Sequence, residues 1–172
     1  MSERIREVTL RTKGILPVQK LKVLAEAGII SGTDEYPVEE DQFQPNSIDL
    51  RLGKMAYRVR SSFLPENETV REKIEKLYQY SFSIEDGAVL EPNCVYIIPL
   101  IESLNLPAVH YSSQKTLFNG SNGEELKLFS EENLTAKANP KSTTGRLDIF
   151  TRVITDYSHR FEEIDQGYSG NL

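Results

Sequence analysis

At 172 residues the chain is long enough to bury a sizeable core in one domain, and 38% hydrophobic with 27% charged residues describes a globular protein, not a disordered one. A net charge of −6, from 26 acidic and 20 basic residues, argues against a non-specific nucleic-acid binder but leaves room for a small anion in a local basic pocket. One cysteine, Cys94, excludes an internal disulfide and a thiolate metal site; no apolar run reaches the roughly 18 residues of a membrane span and the basic N-terminus lacks a signal-peptide core, so cytoplasmic residence without a membrane partner is expected.

The segment ILPVQKLKVLAEAGII (15–30) predicts the first helix. Pro17 suits its first turn, Leu21, Leu24 and Ala25 share one side, and Gly28 is the candidate C-cap. Residues 31–45 are acidic and turn-rich. In SIDLRLGKMAYRV (47–59), Ile48, Leu50 and Leu52 alternate with Asp49 and Arg51, a half-buried strand that Gly53 interrupts at a bulge or bend. Residues 68–80 predict a second short helix, with Ile74, Leu77 and Tyr78 inward and Glu72 with Lys76 as an exposed pair one turn apart. Residues 89–101 read as strand, bounded by Pro92 and Pro99. Residues 109–137 turn polar, with Asn119-Gly120 and Asn122-Gly123 as turn signals, and read as an excursion from the core. Leu147 to Thr155 alternates as a strand should. The sum is a mostly β domain over 1–172 with two helices near the front.

His110 and His159 are far apart and lack partners at ligand spacing. The zinc-dependent base deaminases need a paired Pro-Cys-x-x-Cys, which a single cysteine cannot supply, so no zinc is expected. Cys94 lies in an apolar run without a nearby base and reads as a small buried hydrophobe. The informative stretch is NPKSTTGRLD (139–148). Lys141 and Arg146 bring positive charge, Ser142, Thr143 and Thr144 bring hydroxyls, and Gly145 permits close backbone approach. Such a loop, opening into a strand, can hold phosphate oxygens through charge-assisted bonds; a solvated Ser/Thr turn with two incidental cations is the alternative. Further on, IDQGYSG (164–170) sets Asp165 ahead of an aromatic bracketed by glycines, a tight turn into another strand.

Three separated stretches, QPNSIDLRLG (44–53), ANPKSTTGRLDIFTRVITD (138–156) and IDQGYSG (164–170), resemble the trimeric dCTP deaminases, which share a fold with the dUTPases. The first helix and VYIIPLIESLNLP (95–107) agree with that likeness. The resemblance implies a dUTPase-like β-barrel or β-clip with short N-terminal helices, incomplete at the C-terminus. It implies hydrolytic deamination of dCTP to dUTP and ammonia, in a homotrimer with sites between subunits, with Mg2+ carried on the substrate triphosphate. It assigns Ser142 and Arg146 to organising the catalytic water and pyrimidine, Lys141, Ser142 and Thr143 to the triphosphate, the Thr155 backbone to the cytosine or water, and Asp165 to the deoxynucleoside.

The chain departs from the family pattern in two places. Residues 109–137 exceed the usual short join and are expected to be an insertion. The family's catalytic glutamate falls in the strand after the Gly-Tyr-Ser-Gly turn, beyond Leu172, so the 172-residue chain alone is expected to be poorly stable and inactive. A dUTP diphosphatase-like or bifunctional enzyme, and an inactive nucleotide-binding or structural fragment, are the alternative readings.

Overall fold

Glycine and proline divide this chain into shorter elements than its apolar pattern suggests. The structure is a computed structural model that describes residues 5–10, 14–108, 116–119, 125–130 and 134–172, with 5–10, 116–119 and 125–130 as backbone strands. Among the described residues many short strands accompany three α-helices: α1 (Val18–Glu26), α2 (Val70–Leu77) and α3 (Ser142–Arg146). The chain forms two compact units. The first comprises 1–51, 102–135 and 165–169; the second comprises 52–101, 136–164 and 170–172.

In the first unit Pro17 stands at the N-cap of α1, one residue before the first turn, and its carbonyl accepts from Lys20 and Leu21 N–H. The helix ends where Gly28 takes φ +71°, a left-handed conformation that glycine adopts without a Cβ clash. Gly28 N–H donates to Ala25 O (3.0 Å) and Ile29 N–H to Leu24 O (2.9 Å), which closes the helix and turns the fully buried Ile29 back over it. Among the described residues of this unit, Val23, Leu24, Ala27, Ile29, Ile30, Leu104 and Leu106 are the buried apolar ones. Strand Ile30–Ser31 pairs antiparallel with Ser103–Asn105, Ile30 opposite Leu104. Strand Ile5–Leu10 pairs parallel with Glu125–Ser130, which pairs antiparallel with Thr116–Asn119. Part of the expected insertion is therefore sheet; its remaining stretches from 109 to 133 lie outside the described residues.

The most buried charge in this unit is Glu102, at 0% exposure. Arg51 Nε donates to Glu102 Oε1 (2.7 Å), Arg51 N–H to Glu102 Oε2 (2.8 Å) and Gln42 Nε2 to Oε1 (2.8 Å). The same guanidinium donates to the carbonyls of Tyr36 and Pro37. A buried carboxylate is tolerable only with this degree of satisfaction, so the network fixes the 36–51 segment against the strand that follows Glu102.

In the second unit strand Met55–Val59 lies between Tyr78–Ser83 and Val95–Ile97, antiparallel to both, and contributes the fully buried Ala56 and Val59. Gly53 separates it from Ser47–Ile48, as the sequence predicts. Its N–H donates to Pro99 O (2.7 Å), and a Cβ there would stand 2.8 Å from the same oxygen. Helix α2 starts at a capping box: Glu72 N–H donates to Thr69 Oγ1, and Thr69 N–H to Glu72 Oε2. Glu72 is engaged at the cap, and Lys76 pairs instead with Glu68 (2.6 Å). Ile74 and Leu77 are half-buried, while Tyr78 is exposed, contrary to its expected inward side. Ala136–Lys137 pairs with Glu163–Ile164, burying Ile164.

The strand expected from Leu147 to Thr155 does not form. Residues 142–146 are helical, Leu147 follows at φ −92° and ψ 11°, and Asp148 takes φ 55°, so the extended alternation never starts. Both parities of that stretch carry large apolar residues, and no clean polar face selects a ladder. Leu147, Ile149 and Phe150 are exposed.

Candidate functional site

The chemistry-bearing stretch 139–148 belongs to the second unit, where it makes a turn of helix and not a loop opening into a strand. Proline at 140 precedes Lys141, which stands at the N-cap in extended conformation (φ −59°, ψ 147°) without a side-chain cap. Thr144 N–H donates to Lys141 O, and the end is closed by Leu147 N–H to Thr144 O and Asp148 N–H to Gly145 O. The helical geometry has a consequence that the linear motif hides. Ser142 and Arg146 are four residues apart, so their side chains leave one face of α3.

Lys141, Ser142, Thr143 and Arg146 are all exposed, and Thr144 is half-buried. Arg146 has no ion-pair or hydrogen-bond partner among the described residues. The next two arginines differ. Arg152 is paired with Glu162 (3.0 Å) and lies over the Phe150 and Phe161 rings, and Arg160 is paired with Glu163 (2.9 Å). That bond and charge from Arg160 hold the Glu163 carboxyl below its ordinary value. A Cβ at Gly145 would meet nothing within 4 Å, so no protein group demands glycine there.

Thr155 is buried at 4% exposure, and its carbonyl accepts from Ser158 N–H (3.2 Å). Asp165 is exposed and belongs to the first unit; its carbonyl accepts from Tyr168 N–H, forming the tight turn expected of IDQGYSG. The second unit therefore holds Lys141, Ser142, Thr143, Arg146 and Thr155, whereas Asp165 is described with the first. His159 is exposed, and His110 lies outside the described residues. Cys94 is half-buried, its Sγ 3.8 Å from Glu91 Oε2.

Two groups escaped the sequence reading. Arg51 and Glu102 carry charge within alternating or apolar stretches, but no local signal says that they meet, 51 positions apart. Asp156 accepts from Val70 N–H (2.7 Å) across 86 positions, and no local pattern announces it. A shallow cavity of about 330 Å³ lies elsewhere in the second unit, lined by Tyr80, Phe82, Ala88, Val89 and Glu91. Burial, then the Tyr96 hydroxyl, pushes the Tyr80 phenol upward. Its lining holds a carboxylate and no cation, so it is unsuited to a polyanion.

Two comparisons with known proteins bear on this arrangement. The model of the 2'-deoxycytidine 5'-triphosphate deaminase (DCD) N-terminal domain matches residues 12–117 and 121–172. The crystal structure of 2'-deoxycytidine 5'-triphosphate deaminase from Agrobacterium tumefaciens is similar at a TM-score of 0.74 and 42% identity, covering 94% of this chain and 40% of that one.

Proposed function

Because the chain belongs to the 2'-deoxycytidine 5'-triphosphate deaminase family, we propose that its 139–156 segment forms one wall of a dCTP site at which cytosine is deaminated hydrolytically. The observation that carries this reading is α3, which sets the Ser142 hydroxyl and an unpaired Arg146 guanidinium on one exposed face, directly after Lys141.

In the reaction water adds to C4, one of its protons reaches N3 and the other N4, the C4–N4 bond breaks, and ammonia leaves as the C4 carbonyl forms. Ser142 accepts or donates a hydrogen bond to position the water, and Arg146 stabilises negative charge developing near C4 through fixed positive charge. Lys141, Ser142 and Thr143 bind triphosphate oxygens, which reach the protein with Mg2+ already attached. The Thr155 backbone meets the base or the water, and Asp165 lines the deoxynucleoside. The proton acceptor is a carboxylate, as the family resemblance implies, and the site is completed between three subunits. No zinc takes part.

Calorimetric titration with Mg2+–dCTP tests the reading. The expected result is saturable binding, weakened about tenfold or more in Arg146→Ala, since a charged hydrogen bond is worth roughly 1.5–3 kcal/mol. Equal binding by wild type and Arg146→Ala, both folded, would remove α3 from the site. Ammonia release from dCTP without pyrophosphate marks deamination in a complete assembly; pyrophosphate from dUTP would mark a diphosphatase.

A further inference from the structure

The turn at 155–158 is held by three bonds from one short stretch of the second unit. Glu66 N–H donates to Ser158 O (3.0 Å), Tyr157 N–H donates to Glu68 O (3.0 Å), and Val70 N–H donates to Asp156 Oδ1 (2.7 Å). The stretch that makes them is itself anchored, by the fully buried Pro65 and by the Thr69–Glu72 capping box. Two of its partners are held in an unfavourable backbone region. Glu66 (φ 60°) and Tyr157 (φ 59°) are left-handed non-glycine residues, a conformation that persists only where surrounding contacts dictate it.

Helix α2 has its cap without the Asp156 bond. Thr69 and Glu72 already satisfy the cap, and Val70 N–H faces a helix start that tolerates having no donor at that position. Its effect falls on the other partner, the turn that begins at Thr155. Thr155 is adjacent to Asp156, is buried at 4% exposure, and offers its backbone to the nucleotide in the function proposed above.

We propose that Asp156 is a positioning residue for the nucleotide: its carboxylate, bonded to Val70 N–H, fixes the Thr155 backbone in the orientation that meets the base. This rests on the reading of 139–156 as a dCTP wall. It adds a residue that touches no substrate and acts through the peptide next to it. Loss of the bond acts on that contact, so it is expected to read out as weaker nucleotide affinity, by roughly two- to tenfold, which is about the 0.5–1.5 kcal/mol of one hydrogen bond.

The test removes the bond from each side and measures Mg2+–dCTP affinity on the full chain, together with amide exchange at 155–158. Asp156→Ala deletes the acceptor. Val70→Pro deletes the donor while keeping the helix start, because proline suits the first helical position and Thr69 (φ −78°, ψ 156°) already has the conformation required before proline. Both variants are expected to keep their circular dichroism, to lose protection at 155–158, and to bind dCTP roughly two- to tenfold more weakly. Asp156→Asn, which retains an acceptor oxygen, is expected to bind as wild type does. Wild-type affinity in both folded variants would overturn the positioning role while leaving the dCTP reading intact. No dCTP binding by the unaltered chain would overturn that reading and the role with it.

Discussion

Arg51 and Glu102 show how a single pair of residues can outweigh its neighbourhood. Glu102 has no exposure, and without the guanidinium its buried charge keeps only the neutral donors Gln42 Nε2 and the backbone N–H of residue 51. Arg51→Ala is therefore expected to destabilise the chain by about 3–5 kcal/mol in urea denaturation, whereas loss of a solvated ion pair such as Arg71–Glu75 changes stability by less than about 1 kcal/mol. Equal effects of the two would contradict the network. Gly53 makes a second residue-scale claim. Its Cβ would press on Pro99 O at 2.8 Å, so Gly53→Ala is expected to lose about 1–3 kcal/mol, read as a lower urea midpoint. The sequence marks Gly53 as a break because glycine is a local signal. The partner of Arg51 is 51 positions away, and alternation carries no information about which distant charge it meets.

At the scale of elements, the two longer helices were readable because their ends carry chemistry. Gly28 closes α1 at φ +71°, so Gly28→Ala is expected to lower stability by about 1–2 kcal/mol through left-handed strain. Thr69→Ala, which removes the α2 cap, is expected to cost about 1 kcal/mol in thermal or urea melts. The cap also carries a pH signature. The Thr69 backbone N–H, followed by its hydroxyl, holds the Glu72 carboxyl below its ordinary value. A depressed folded-state pKa contributes stability above the unfolded value and loses it as pH falls through the folded value. The stability difference between wild type and Glu72→Ala is thus full at neutral pH and shrinks on acidification through the carboxylate range; a difference that grows there would refute the cap. The strand assigned to Leu147–Thr155 failed for a physical reason. A five-residue helix has too few positions to show a period, and its end at Asp148 reverses the backbone before any alternation is used.

For the whole molecule, three ordered motifs were enough to indicate the family and its mostly β, dUTPase-like fold, because each combines glycine, charge and hydroxyl in a fixed order. The division into two units was not readable, since the first unit collects three separated stretches of chain and no linker marks their borders. Nor was the helical face that pairs Ser142 with Arg146, which depends on α3 being helix and not strand. The chain spans 40% of the length of the Agrobacterium deaminase chain it resembles, so the proposed nucleotide contact has to be tested on the chain itself. Hydrogen–deuterium exchange of the chain with and without saturating Mg2+–dCTP measures this directly. Slowed exchange is expected in peptides covering 139–147 and 155–158. Slowing confined to the Tyr80–Glu91 cavity, or none anywhere, would contradict that contact.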